Sequence, residues 1–227
     1  LFMIIAFDLD DTLYEEITYV RSGFKAVASY LSQTYKIETP DKIFREFIQA
    51  LEEQGRGRVF DSFLEKYNLS NKKVIKKCLS VYRLHDPDIR LSESGQSCLE
   101  RLKDYPKYLV TDGNKVVQTK KVKSLKINKY FRHTMVTHNY GLKYSKPSTF
   151  CFHKILQREN ASPQDLIYIG DNPKKDFVNL KKDGFWTMRV MTGEHRDVLA
   201  SPEFEADFRI NSLDELSVKD LKKIKGH

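Results

Sequence analysis

Short, continuously apolar runs recur along the chain at 3–7, 108–111, 134–137, 166–169, 186–190 and 206–210. No regular polar alternation interrupts most of them, so they read as strands buried on both faces. Segments 115–126, 149–159 and 173–183 lie between successive runs and carry helical spacing of their apolar residues. Strand, helix, strand in repetition predicts βαβ units, and βαβ units require a parallel sheet. One interval breaks the rhythm. Between the first and second runs, 16–35, 40–53, 59–67 and 71–84 read as amphipathic helices, with turn signals at Thr39-Pro40 and Gly55-Arg56-Gly57. The chain returns through Asp86-Pro87-Asp88, and 93–104 reads as the helix before the second strand. The expected fold is α/β, a Rossmann-like parallel-sheet core with an inserted α-helical domain. The core is expected over 1–13 and 88–227, the insertion over 14–87.

With 227 residues, 40% of them hydrophobic, the chain can build such a core and a smaller inserted domain. No apolar run approaches the length that spans a bilayer, and no secretory signal pattern is visible. Met3 reads as the natural start, with Leu1 and Phe2 as additions ahead of it. Cys78, Cys98 and Cys151 show no CxxC spacing, so they are expected as reduced, mostly buried thiols of a cytoplasmic protein rather than nucleophiles. The formal charge of +8 raises the question of nucleic acid. Its lysines are spread along helices, as at Lys72-Lys73, Lys76-Lys77, Lys120-Lys121 and Lys181-Lys182, without a dense basic tract. Solvated helix faces account for most of this charge, and nucleic acid is not the expected partner.

In open parallel sheets the loops at the carboxyl ends of the strands gather at one edge and form the site. After the first strand stands Asp8-Leu9-Asp10-Asp11-Thr12. Carboxylates at i and i+2 leaving a strand share one small space, where one would hold its proton unless a cation intervened. A divalent cation at Asp8 relieves that strain and leaves Asp10 free for acid–base work. After the second strand, Thr111-Asp112-Gly113-Asn114 opens a helix, offering a hydroxyl and free N–H groups to a phosphate. The same residue types also cap helices routinely. Lys146-Pro147 follows, with Pro147 expected near the first turn of a helix and Lys146 as a point cation. After the fourth strand come Gly170-Asp171 and, on the expected first turn of the next helix, Asp176. Each motif after the first is modest; their order at successive strand ends is specific.

In that order the motifs resemble those of the haloacid dehalogenase-like hydrolase superfamily over nearly the whole chain. Phe7-Asp8-Leu9-Asp10-Asp11-Thr12-Leu13-Tyr14 is similar to its first motif in the two-aspartate form of the phosphatases, and Val110-Thr111-Asp112-Gly113-Asn114, followed by Gln118 and Lys121, to its second. Gly141 with Lys146-Pro147 resembles the third motif, and Gly170-Asp171 with Asp176 the fourth. The resemblance implies that the insertion is a cap. It implies Asp8 as the nucleophile that forms an aspartyl-phosphate, and Asp10 as the acid–base residue. It further implies Mg²⁺ held by Asp8, Asp10 (through its backbone carbonyl) and Asp171, with phosphate bound by Thr111, Asp112, Gly113 and Lys146. Thr12 and Asp176 would support, Asp176 by organising Lys146.

Three departures stand out. Asp112 replaces a usual Asn; the segment from Gly141 to Lys146 is long, leaving Lys143 as a second choice for the phosphate contact; and Asn179 replaces a frequent glycine. The expected activity is a Mg²⁺-dependent phosphomonoesterase on a small phosphorylated metabolite, a sugar phosphate or nucleotide, in a monomer or homodimer. A phosphomutase of the same superfamily shares both aspartates, and a non-catalytic binding module shares the fold. Substrate choice is expected from the cap, with Arg56 and Arg58 in its turn and Tyr14, with Glu15 and Arg21, near the junction.

Overall fold

Strand β1 (Ile4–Phe7) is Ile-Ile-Ala-Phe with every side chain buried, the pattern that only a strand covered on both faces can use. β2 (Lys107–Thr111) and β4 (Leu166–Gly170) share it, while β3 (His133–Val136), β5 (Trp186–Val190) and β6 (Phe208–Ile210) complete the sheet. In the computed structural model, which describes residues 3–225, the strand order is β3-β2-β1-β4-β5-β6 and every pairing is parallel. Leu1 and Phe2 lie outside the described residues. β1 is therefore central, flanked by β2 (Ile5 opposite Lys107) and by β4 (Ile4 opposite Leu166). The connection direction reverses at β1, so a crevice opens beyond its carboxyl end.

Helices α1 (Glu16–Tyr35), α2 (Pro40–Gln54), α3 (Val59–Lys66) and α4 (Lys72–Leu84) follow β1, and α5 (Glu93–Arg101) precedes β2. Their ends are written in the sequence. Thr39 caps α2 with Pro40 at its first position, Gly55 closes it, and Asn71 accepts the first free N–H groups of α4. α6 (Lys115–Ser124) follows β2, α7 (Phe150–Glu159) precedes β4, α8 (Val178–Lys182) links β4 to β5, and α9 (Val218–Lys225) follows β6.

Two compact units result. Leu1–Glu16 with Arg90–His227 form one, and Ile17–Ile89 form the other. Tyr14, Glu15 and Glu16, expected in the insertion, fall in the sheet-bearing unit, because Tyr14 bridges back to Asp10 and the Glu16 N–H donates to the Asp11 carboxylate. In that unit Ile4, Ala6, Tyr108, Val110, Phe152, Ile155 and Tyr168 belong to one buried cluster under α7. The helical unit has its own core, in which Phe24, Phe47, Phe60 and Phe63 meet edge to face. Among the described residues no helix is long and apolar enough to cross a membrane.

Two local expectations are corrected. The helix foreseen over 173–183 is confined to Val178–Lys182: Pro173 starts a turn, and the Asp176 carboxylate accepts the Asn172 N–H and so closes that turn on itself. Asp176 thus precedes the helix. Pro147 likewise stands ahead of α7, in a turn closed by the Ser148 N–H on the Ser145 carbonyl.

Candidate active site

The Asp8 N–H donates to the Ile169 carbonyl at 2.8 Å, extending the β1–β4 ladder by one residue. Leu9 turns its side chain into the core, and the Leu13 N–H returns to the Leu9 carbonyl at 3.0 Å. Asp11 takes a left-handed conformation (φ 54°), which closes the loop and presents Asp8 and Asp10 to the crevice. Asp8 is 4% exposed and lies 3.0 Å from the Nζ of Lys146, itself buried. Lys146 Nζ also pairs with Asp176 at 2.8 Å and donates to the Tyr168 hydroxyl at 2.8 Å. Burial disfavours the Lys146 charge, but Asp176 and Asp8 outweigh it and hold the ammonium well above its ordinary range. Lys146 is a fixed cation. Lys143 has instead gone to the ring of Tyr144.

Asp10 is held differently. Its carboxylate takes Lys121 Nζ at 2.7 Å, Gln118 Nε2 at 2.8 Å and the Tyr14 hydroxyl. Burial pushes its pKa up, yet the Lys121 charge and these three donors more than reverse the effect, so Asp10 rests ionised. Gln118 Nε2 also reaches the Thr111 hydroxyl oxygen at 2.6 Å, fixing Thr111, which is fully buried at the end of β2. With its oxygen occupied as an acceptor, that hydroxyl keeps its proton for another acceptor.

Asp8, Asp171 and Asp176 place one carboxylate oxygen each within 4.8 Å of one another, all three buried. Desolvation, with Asp8 and Asp176 adding repulsion, pushes Asp171 up to about 9; desolvation also lifts Asp8 to about 6, against the pull of Lys146. Buried acids that repel one another and offer only hard oxygen donors fit a small divalent cation, which would take the place of the missing charge. The Asp10 side chain is not among these three; Asp176 stands there instead.

A pocket of about 270 Å³ covers these groups, its wall including Asp8, Asp10, Thr111, Asp112, Gly113 and Asp171. The Asp112 carboxylate accepts the Thr137 hydroxyl at 2.6 Å and the Lys146 N–H at 3.1 Å. It is thereby committed to the loops after β3 and before α7. Asp112, the departure from the usual Asn, thus ties down the segment that carries Lys146.

Other expected residues land elsewhere. Tyr14 is 2% exposed, its hydroxyl spent on Asp10 and its pKa pushed well up by burial and by that neighbour, which places it as a support of Asp10. Thr12 is buried with its hydroxyl oxygen unpartnered. Arg56 and Arg58 are exposed in the helical unit, where Arg58 pairs with Glu65 at 3.0 Å. All three cysteines are free and buried, and burial raises each thiol to about 11, so none is a ready nucleophile. Tyr168, His138, Lys175 and His195 were not foreseen. Tyr168 is hidden by its apolar strand, whereas His138 and His195 shortly follow β3 and β5, where the strand-end rule could have found them.

The haloacid dehalogenase-like hydrolase family matches residues 5–190, from β1 to the end of β5. The chain belongs to this family. Among its relatives, a glyceraldehyde 3-phosphate phosphatase from Methanocaldococcus jannaschii is 28% identical over 96% of this chain and 98% of its own, and one from Pyrococcus furiosus is 26% identical over 94% and 90%. Among solved structures, the hydrolase YfnB from Bacillus subtilis, with magnesium bound, superposes with a TM-score of 0.67 at 19% identity, covering 97% of this chain and 98% of YfnB. A 2-haloacid dehalogenase from Pseudomonas syringae gives 0.65 at 18% identity, covering 100% and 99%. These likenesses establish the family and its α/β fold.

Proposed function

We propose that the protein is a Mg²⁺-dependent phosphomonoesterase that acts through an aspartyl-phosphate on a small sugar phosphate. The observation that carries this reading is the contrast between two carboxylates two residues apart. Asp8 stands buried against the fixed cation Lys146, while Asp10 is held ionised by Lys121, Gln118 and Tyr14.

An Asp8 oxygen attacks phosphorus as the bond to the leaving alcohol breaks, giving an acyl phosphate on Asp8. Asp10 hands the departing oxygen a proton. Because Asp10 rests ionised, it must first take up that proton, from solvent or from the minor monoanionic fraction of a phosphate monoester whose second pKa is about 6. Returned to the carboxylate form, Asp10 takes a proton from the water that attacks the acyl phosphate, releasing inorganic phosphate and restoring Asp8. Lys146, the Thr111 hydroxyl and the N–H groups at Asp112 and Gly113 offset the negative charge on the phosphoryl oxygens. Mg²⁺ would be held by Asp8, Asp171 and the Asp10 backbone carbonyl, beside Asp176, and would supply further neutralisation of that charge. Asp8 thus faces phosphorus with its repulsion from the substrate offset on two sides.

The glyceraldehyde 3-phosphate phosphatases among the relatives, aligned over most of both chains, support a phosphorylated three-carbon sugar as substrate. A pocket of about 270 Å³ suits a molecule of that size. We assign a share of the choice to the helical unit acting as a cap, through Arg56 and Arg58 in its turn.

The test measures phosphate release from glyceraldehyde 3-phosphate and p-nitrophenyl phosphate with Mg²⁺, with a chelator, and for Asp8→Asn. The substitution and the chelator should each lower kcat by more than about 10³-fold. Activity that survives either one overturns the mechanism, and rearrangement of a sugar phosphate without phosphate release would make the protein a mutase.

A further inference from the structure

His195 lies on the wall of the same pocket, in a single 3₁₀ turn (Gly193–His195) that follows β5. Its backbone is anchored from two directions. On one side, the Thr192 hydroxyl donates to the Asp11 carbonyl, and the Asp11 carboxylate accepts the Glu194 N–H at 3.3 Å. Gly193 allows the loops to meet so closely: a Cβ there would stand 2.2 Å from the Asp11 Cγ, and its φ of +62° is one that side chains resist. On the other side, the Arg189 guanidinium, 1% exposed on β5, donates to the His195 carbonyl at 2.6 Å and the Val198 carbonyl at 3.0 Å. Glu205 compensates the Arg189 charge at 2.8 Å. A buried ion pair is a poor source of stability but a good means of specifying one arrangement. Here it specifies where the turn runs.

None of these bonds involves the His195 ring. The His195 ring, half-buried, makes no hydrogen bond to any described residue. A residue on a pocket wall whose backbone is pinned twice and whose ring has no hydrogen-bond partner among the described residues is arranged for a ligand. We propose that His195 is a specificity residue contributed by the sheet-bearing unit itself, hydrogen-bonding a hydroxyl or hydrated carbonyl of the substrate while its phosphoryl group meets Asp8. This rests on the phosphatase reading and adds the chemistry of the substrate's other end. Burial lowers the ring's pKa against the pull of Glu194, with Lys175 and Lys174 lowering it further, so the imidazole is neutral at neutral pH. A neutral imidazole offers one donor and one acceptor, the complement of a hydroxyl and a poor partner for a second phosphate. Arg189 is a positioning residue for it.

The test uses the full chain with Mg²⁺ and compares wild type with His195→Ala, His195→Gln and Arg189→Lys. Three readouts are taken: kcat/KM for glyceraldehyde 3-phosphate, kcat/KM for p-nitrophenyl phosphate, which carries no hydroxyl beside its ester, and inhibition by inorganic phosphate. His195→Ala should lower the first about 10- to 100-fold and leave the other two within about twofold, the scale of an indirect effect. His195→Gln should recover part of the loss, and Arg189→Lys should move the ratio of the two substrates in the same direction. An equal loss on both substrates, or no loss on any sugar phosphate that wild type hydrolyses, overturns the assignment while the phosphatase reading stands. A wild-type protein that releases phosphate from neither ester overturns both.

Discussion

Gly170 ends β4 with no side chain, and a Cβ there would stand 2.6 Å from an Asp176 carboxylate oxygen. That oxygen cannot simply swing aside, because Asp176 is held by the Asn172 N–H and by Lys146. Gly170→Ala is therefore expected to push Asp176 off Lys146 and lower kcat by more than about tenfold with little change in secondary structure; steady-state kinetics alongside circular dichroism check it, and an unchanged kcat would mean that the Asp176–Lys146 pair is dispensable. At this scale much of the site could be read ahead of the coordinates. Asp8, Asp10, Thr111, Lys146 and Asp171 were candidates only through their order at successive strand ends, and the structure gathers Asp8, Asp10, Thr111 and Asp171 on one pocket with Lys146 against Asp8. The supporting contacts were less legible, since they depend on what lies across the crevice. Nothing local to Tyr14 says that its hydroxyl turns back to Asp10, and nothing local to Asp112 says that it faces Thr137 rather than phosphate.

Elements followed the apolar pattern closely, and the misses have physical causes. β6 is confined to Phe208–Ile210 because the Asp207 carboxylate, just before it, is engaged by the N–H and hydroxyl of Thr187. α8 is short because Asp176 diverts the chain into a turn before helical bonding can begin. The helices of 17–89 came through almost unaltered, since amphipathic spacing and caps such as Thr39 and Asn71 are local signals. Their core is separate from the sheet's and rests on an aromatic cluster centred on Phe47, which meets Phe24, Phe60 and Phe63. Phe47→Ala should destabilise this unit by about 3–5 kcal/mol. Limited proteolysis should then cut within 17–89 while the sheet-bearing fragments persist. Simultaneous loss of both units would show that their stabilities are tied together.

For the whole molecule, the acidic cluster links metal, protons and stability. Without metal, Asp171 titrates at about 9 and Asp8 at about 6, both above the ordinary carboxylate range near 4. Between those limits the folded chain binds more protons than the unfolded one, so stability contributed by these groups falls as pH rises from about 4 to about 9. Under the proposed reading, Mg²⁺ would replace those protons. Thermal melts in chelator should give a lower Tm at pH 8.5 than at pH 5.5 from this source, and the Tm gain on adding Mg²⁺ should be greater at the higher pH, by several degrees when the ion is well above its Kd. A gain independent of pH would remove the cluster as the binding site.

The central position of β1 has a consequence for how the chain comes to life. Ile5 pairs with Lys107 and Ile4 with Leu166, so β1 must wait for neighbours that are synthesised well after it. Residues 17–89 have a core of their own that does not draw on the sheet, so they are expected to collapse while β1 is still unpaired. Asp8 stands beside Asp171 and Asp176 only after the strand that precedes them is in place. Nascent chains halted before β4 would lack Asp171 and Asp176, so the acidic cluster is complete only late in synthesis.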